Sequence, residues 1–182
     1  MQEILDIVDG QGRPTGGTAP RSEVHARGLL HRTSHLWLMR RRGCRTEVLL
    51  QHRSPAKESY PDCYDISSAG HIPAGAGFEE SAVRELLEEL GIEAREEELV
   101  FCGRRRFIYR ETHGGQPYID NQISNVYVLW RDVEPEAMRL QAEEVAGVRW
   151  MEFGELRRAV ADNTIRHCIA QEELDILQKA IL

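Results

Sequence analysis

The chain has 182 residues, of which 41% are hydrophobic and 29% charged, with a formal net charge of −7. This composition is that of an ordinary globular protein, and the acidic balance argues against a dedicated nucleic-acid binder. No apolar run approaches the roughly 18 residues of a membrane-spanning helix. The N-terminus lacks a signal-peptide pattern and the four cysteines form no CxxC pair, so we expect a cytoplasmic protein with reduced thiols.

The first third of the chain predicts short strands separated by turns. Residues 4–8 predict a strand and residues 9–12, Asp-Gly-Gln-Gly, a turn. Residues 13–27 contain two prolines and two glycines and predict a less regular segment. Further strands are predicted at 33–39, 47–53 and 64–67, with a proline-containing loop at 54–62.

The rest of the chain is arranged around one predicted helix at residues 78–90, whose apolar side, including Val83, Leu86, Leu87 and Leu90, is expected to face a core. No linker or repeat divides the chain, so we expect one domain over residues 1–182, with 1–30 as an N-terminal extension. Strands on both sides of a central helix, followed by a C-terminal helix, favour an α+β sandwich. The further strands are predicted at 97–102, 104–110, 121–130 and 144–151, and helices at 155–160 and 171–182.

The predicted helix gathers three carboxylates directly after a glycine-rich loop, residues 70–77. With Glu85 at zero on a wheel of about 100° per residue, Glu89 lies about 40° to one side and Glu88 about 60° to the other. Clustered carboxylates repel one another unless a cation lies between them, and Mg²⁺ and Mn²⁺ prefer oxygen ligands. The segment is therefore a candidate site for one of these ions.

Residues 70–92 resemble the signature of the Nudix hydrolases, which is Gly, five residues, Glu, seven residues, then Arg-Glu-apolar-any-Glu-Glu-any-Gly-apolar. One position departs, because the first Glu of the signature is expected at 76, where this chain has Ala76. An ordinary solvated helix rich in glutamate would leave the glycines and the arginine of the pattern unexplained. The positions in register are Gly70, Arg84, Glu85, Leu86, Glu88, Glu89, Gly91 and Ile92.

The resemblance implies the Nudix fold, an α/β/α sandwich with a mixed central sheet, and a hydrolase that splits a diphosphate linkage. It implies that Glu85, Glu88 and Glu89 ligate a catalytic Mg²⁺ or Mn²⁺, which would neutralise diphosphate oxygens and lower the pKa of the attacking water. Arg84 is expected to pair with a carboxylate and hold the loop against the helix. One of the three glutamates, or one on a distant loop, would accept the proton of the water.

Other candidate residues lie outside the signature helix. Glu144, in a loop before a late strand, is a candidate base or metal ligand, and Arg53 is a candidate contact for substrate phosphates. Gly70 and the following His71 are candidates to border the substrate. The absent carboxylate at Ala76 is either a tolerated loss, which we favour, or a sign of weakened or altered catalysis. In the first case Glu79 or Glu80 could compensate.

A second pattern involves histidines near the first long strand. The segment 24–32, with residues 11–16 and 49–54, resembles the corresponding parts of type I isopentenyl-diphosphate isomerases and their hydrolase-like relatives. In those isomerases two such histidines, a histidine after the signature glycine and two glutamates of a later strand hold a metal. By this resemblance His25 and His31 would hold a second metal together with His71, near Asp120. The alternative is that they are structural histidines and that His71 hydrogen-bonds within its loop.

The same comparison of residues disfavours isomerase chemistry. The isomerases carry a cysteine immediately before the Gly-His pair for proton transfer, and this chain has Ala69 there. Gln122 stands where an acidic residue is expected. Three functions remain: a hydrolase of a nucleoside diphosphate derivative or nucleotide, an isopentenyl-diphosphate isomerase-like enzyme, and a non-catalytic nucleotide- or metabolite-binding protein. We expect a small-molecule diphosphate as partner, not nucleic acid or a membrane, and leave a homodimer open.

Overall fold

The computed structural model describes residues 2–57 and 59–181, without the side chain of His113. Leu182 of the last predicted helix and Glu58 of the predicted loop therefore lie outside the described residues. Nine strands are described: β1 (Ile4–Val8), β2 (Pro14–Pro20), β3 (His31–Arg42), β4 (Arg45–Arg53), β5 (Tyr64–Asp65), β6 (Ser68–His71), β7 (Val100–His113), β8 (Gln116–Trp130) and β9 (Val145–Glu152). The helices are α1 (Arg21–Arg27), α2 (Phe78–Leu90), α3 (Phe153–Ala161) and α4 (Gln171–Ile181), with 3₁₀ turns at Glu96–Glu98 and Pro135–Ala137.

The large sheet is mixed and lies between helices. Its strand order is β5-β4-β3-β8-β7, with β6 paired to β3 and β9 paired to β4. The β3–β8 pair is parallel, whereas the other pairs of this sheet are antiparallel. Helix α2 packs on one face and helices α3 and α4 on the other. The predicted α/β/α sandwich with a mixed sheet is confirmed.

Strand β3 shows how the sequence builds both faces of this sheet. Leu36 and Leu38 belong to the core under α2, whereas Trp37 and Met39 belong to the core under α3 and α4. Side chains of a strand alternate between faces, so a continuous apolar run is the pattern of a strand covered on both sides. Each of these four side chains is at most 1% exposed, and full burial of such a side chain contributes about 1.5–3 kcal/mol.

The N-terminal segment is more regular than its composition predicted. Residues 13–27 were expected to be irregular, but they form β2, which pairs with β1, and then α1. Pro14 and Pro20 stand at the two ends of β2, where a missing N–H is tolerated. Pairing with β1 and packing of Val24 against Leu5 decide this structure, and local composition does not show either.

Helix α2 has the predicted bounds and ends at Gly91, which adopts the left-handed conformation with φ 68°. Its rotation differs from the prediction at one position, because Leu87 is 43% exposed whereas Leu86 and Leu90 are fully buried. Glu89 is only 6% exposed. The helix packs on β6 as well as β3, so one edge of its acidic side is covered by the protein.

Helix α4 is attached to the sheet through a buried carboxylate. Glu173 accepts hydrogen bonds from Nδ1 of His35 at 3.0 Å, Nε1 of Trp37 at 2.9 Å and Nη1 of Arg105 at 2.9 Å. Burial raises the pKa of Glu173, but these partners, His35 foremost, more than offset it and hold the pKa at about 2. Among the described residues, no helix is long and apolar enough to cross a membrane.

Candidate active site

Gly70 allows the signature helix to approach strand β6. It pairs with Ser34 of β3, and the carboxyl end of Glu85 lies directly over it. A Cβ atom at residue 70 would be 2.2 Å from Cδ of Glu85, so any side chain there would displace that carboxyl end. The glycine of the signature therefore makes room for a carboxylate of the helix.

Two of the three signature glutamates, Glu85 and Glu89, lie in surroundings that disfavour the ionised form of the carboxyl group. Burial raises the pKa of Glu89 to about 8, and the charge of nearby Glu85 adds to this, whereas the neighbouring Ser68 hydroxyl opposes it. Burial also raises the pKa of Glu85 to about 7, against the effect of Arg84. Oε2 of Glu89 is buried and has no hydrogen-bond partner among the described residues. A cation between these oxygens would favour their ionised form, so the residues fit a divalent metal ion.

Arg84 pairs with two carboxylates of its own helix. Its Nη2 donates to Oε1 of Glu85 at 2.7 Å and its Nη1 to Oε2 of Glu88 at 3.1 Å. The side chain of Glu88 is 52% exposed, so it is the most accessible of the three glutamates. The arginine thus holds Glu85 and Glu88 side by side.

The loop at Ala76 is held by a different arginine. Nη2 of Arg32 donates to the carbonyl oxygen of Ala76 and to Asp6, both at 3.0 Å. The two acidic residues that could replace the absent carboxylate have other partners. Glu79 accepts from the hydroxyl of Tyr127 at 2.7 Å, and Glu80 accepts from the N–H of Gly77 at 3.1 Å.

The structure brings His25, His31 and His71 together. One ring nitrogen from each lies within 4.8 Å of the other two, and Nε2 of His71 is 3.2 Å from Nε2 of His25. The parallel pairing of β3 with β8 and the antiparallel pairing of β3 with β6 place His31 and His71 at the same end of the sheet. Helix α1 adds His25, which stacks against Tyr118 with ring centroids 4.6 Å apart.

A hydrogen bond to the backbone fixes which nitrogen of His31 carries the proton. Nδ1 of His31 lies 3.0 Å from the carbonyl oxygen of Leu29, so this nitrogen donates and Nε2 carries the lone pair. Oδ1 of Asp120 lies 3.4 Å from Nε2 of His31 and 3.9 Å from Nε2 of His25. Burial lowers the pKa of His25 to about 4 and that of His71 well below its usual value. Neutral imidazoles beside a carboxylate can ligate a metal ion.

The two more distant candidates have different positions. Arg53 uses its guanidinium within the chain, donating to the carbonyl oxygens of Tyr60 at 3.0 Å and Ser59 at 2.7 Å and to Asp65 at 3.1 Å. Glu144 lies near enough to Glu89 to raise its pKa, so the structure brings this loop carboxylate to the signature helix.

Lys57 is a residue of the site that sequence reasoning missed. Its ammonium pairs with the carboxylate of Glu144, and its charge lowers the pKa of both Glu89 and His71. Its charge therefore acts on both the signature carboxylates and the histidine cluster. A lone lysine in an irregular loop carries no pattern that could have identified it.

A mixed sheet between helices, with this loop and helix packed on one of its faces, defines an enzyme of the Nudix fold. The family model of the NUDIX domain matches residues 29–171, and the chain belongs to the Nudix hydrolases, which act on acid anhydrides. Members of this family generally use divalent metals.

The relatives include hydrolases and isomerases. The chain is 40% identical over 170 residues to an uncharacterised Nudix hydrolase of Clostridium acetobutylicum, covering 93% of this chain and 79% of that protein. It is 25% identical over 158 residues to the isopentenyl-diphosphate Δ-isomerase of Escherichia coli, covering 87% and 81%. A solved protein of Deinococcus radiodurans has the same fold, with a TM-score of 0.68, 19% identity and coverage of 99% and 100%.

Proposed function

We propose that the protein hydrolyses a diphosphate linkage in a nucleoside diphosphate derivative or nucleotide, with Mg²⁺ or Mn²⁺ held by Glu85, Glu88 and Glu89. The observation that carries this proposal is that Oε2 of Glu89 is buried beside Glu85 without a hydrogen-bond partner in the described part of the chain. Two disfavoured carboxylates at the edge of a signature loop are explained by a cation that binds there. When bound, the ion would neutralise diphosphate oxygens and lower the pKa of the attacking water.

The residues of the chain have separate tasks in this proposal. Arg84 orients Glu85 and Glu88 through two hydrogen bonds. Glu144 is our candidate to accept the proton of the water, because its carboxylate lies near Glu89 on a separate loop. Lys57 pairs with Glu144 and holds that carboxylate in place.

We further propose that His25, His31, His71 and Asp120 hold a second metal ion. Three imidazole nitrogens and a carboxylate favour a borderline transition metal such as Zn²⁺ over Mg²⁺. Oδ1 of Asp120 and Nε2 of His31 are buried without hydrogen-bond partners among the described residues. Metal analysis of the purified protein tests this, and we expect His25→Ala to lose one equivalent of metal. Equal metal content in the variant and the wild type would contradict it.

An isomerase of isopentenyl diphosphate is the second candidate, and the histidine cluster is the observation that favours it. Ala69 and Gln122 oppose it, because Ala69 cannot supply the thiol for proton transfer and Gln122 stands where an acidic metal ligand is expected. Gln122 pairs with His31 across the parallel strands, so the amide stands beside the cluster. We therefore place hydrolysis first.

A substrate panel separates these functions. The protein is assayed with Mg²⁺ or Mn²⁺ against nucleoside triphosphates and diphosphates, ADP-ribose, dinucleotide cofactors and isoprenoid diphosphates, and phosphate, mononucleotide and isomer formation are measured. We expect hydrolysis that chelation abolishes and that Glu85→Gln lowers more than tenfold, whereas Glu97→Gln, at an exposed glutamate outside the site, leaves it unchanged. If no diphosphate turns over with any divalent ion, a non-catalytic binding protein becomes the better description.

A further inference from the structure

A cavity away from the signature helix is lined in part by Arg149, whose guanidinium is only partly hydrogen-bonded among the described residues. Its volume is about 340 Å³, and it lies between β9, α3 and the loop that follows α3. Its wall includes Arg149, Met151, Glu155, Arg158, Asp162 and Ile165. None of the residues that line it belongs to α2, β6 or the histidine cluster, so the cavity is separate from the proposed active site.

The guanidinium of Arg149 is held through its flat face, which stacks on an aromatic ring, and not through hydrogen bonds from the Nε and Nη2 edge. Arg149 lies in β9 opposite Leu50, and its Cζ is 4.0 Å from the centroid of the Tyr64 ring. Nε and Nη2 are shielded from solvent and have no hydrogen-bond partner among the described residues. Stacking on an aromatic ring fixes the plane of the guanidinium but satisfies none of its N–H groups.

The two unpartnered nitrogens belong to one edge of the guanidinium. Nε–H and Nη2–H point in parallel and match the two oxygens of a carboxylate or phosphate. A buried donor of this kind is unfavourable unless an acceptor reaches it. Because both atoms are shielded although Arg149 lines the cavity, binding requires the guanidinium to turn toward the cavity.

The remaining wall selects between these two anions. Arg158 adds a second positive charge, but Glu155 and Asp162 add two negative charges, so the four ionised residues of the wall cancel. A doubly charged phosphate is disfavoured by the two carboxylates, whereas a singly charged carboxylate is disfavoured less. Met151 and Ile165 supply apolar surface for the rest of a small ligand, and the volume is that of a small-molecule site.

We propose that Arg149, on turning from its stack on Tyr64 toward the cavity, forms a binding site for a small carboxylate that has an apolar body. The ligand's two oxygens accept from Nε and Nη2 of Arg149, and its apolar part packs on Met151 and Ile165. This site is independent of the proposed hydrolysis, because it shares no residue with it.

NMR of the complete chain tests the proposal through the Nε–H resonance of Arg149. Benzoate, acetate and inorganic phosphate are titrated at constant ionic strength. We expect a saturable shift of the Arg149 Nε–H resonance with benzoate, at least fivefold tighter than with acetate, and none with phosphate. Arg149→Lys should abolish saturable benzoate binding, because a lysine keeps the charge but lacks the paired donors, whereas Arg110→Lys on the exposed end of β7 should retain it.

Three outcomes would overturn the proposal. One is the absence of any saturable shift in the wild-type spectrum, which requires no variant to fold. Another is an equal response to phosphate, which would show a general anion effect. Benzoate binding that persists in a folded Arg149→Lys protein would likewise move the site elsewhere.

Discussion

Replacing Glu89 with glutamine should stabilise the metal-free protein while removing its function. The pKa of Glu89 is raised from its ordinary value of 4.5 to about 8. Ionisation of this group therefore opposes folding progressively as the pH rises from about 4.5 to 8, and this unfavourable contribution is absent below about pH 4.5. At pH 7, which is about 2.5 pH units above the ordinary pKa of 4.5, this unfavourable contribution to the free energy of folding is about 3 kcal/mol. Relaxation around the buried group reduces this, so we expect Glu89→Gln to gain about 1–3 kcal/mol in the presence of a chelator.

Urea unfolding in chelator and in Mg²⁺, together with initial rates on the substrate found by the panel, measures both effects. We expect Mg²⁺ to stabilise the wild type but not Glu89→Gln, and kcat to fall well over tenfold, which is more than about 1.4 kcal/mol in the barrier. Glu88→Gln is the matched control for stability, because the Glu88 side chain is 52% exposed. Its free energy of unfolding in chelator should change by less than about 0.5 kcal/mol.

The reasoning would be refuted by either of two results. If Glu89→Gln is less stable than the wild type in chelator, the buried carboxylate is satisfied by the protein and does not await a cation. If the variant keeps both its Mg²⁺-dependent stabilisation and its kcat, Glu89 does not ligate the catalytic metal.

Three further predictions concern other parts of the structure. Gly70→Ala would place a Cβ 2.2 Å from Cδ of Glu85. Because that carboxyl end can turn away, we expect only a small change in Tm but a loss of over tenfold in kcat. A normal kcat would contradict the close approach. Ala76→Glu should change kcat/KM by less than the loss in Glu89→Gln, and a gain above about a hundredfold would show that Ala76 cripples the enzyme. Glu173, with a pKa of about 2, contributes stability that is present above about pH 4.5 and lost as the pH falls toward 2. Glu173→Gln should therefore be less stable at pH 7, by about 3 kcal/mol, and urea midpoints between pH 5 and 2 should fall less steeply than in the wild type.

The features determined by the sequence alone are those contained within one element. The bounds of α2, its end at Gly91 and the grouping of three carboxylates follow from helical periodicity and from the αL preference of glycine. The alternating faces of β3 follow in the same way from the strand period of two. Such patterns need no knowledge of what the element packs against.

Tertiary structure decided what lies between elements. Whether Glu89 or Leu87 is buried depended on the rotation of α2 over β6, which local periodicity predicted wrongly for Leu87. The regular structure of residues 13–27 depended on pairing with β1. In each case the deciding contact is made with another element.

The two candidate metal sites show the same division. The signature glutamates lie about one turn apart on a single helix, so their spacing in the sequence is enough to predict that they are close together. The histidine cluster joins His25 and His31 to His71 and Asp120 through the pairing of three strands and one helix. No local pattern shows this grouping, and from the sequence only the resemblance to the isomerases predicts it. Lys57 reaches Glu144 across 87 positions of the chain, and no local pattern encodes such a contact. Packing of the shared hydrophobic core supplies the free energy that brings these elements together. The assembled sheet therefore decides which distant residues meet.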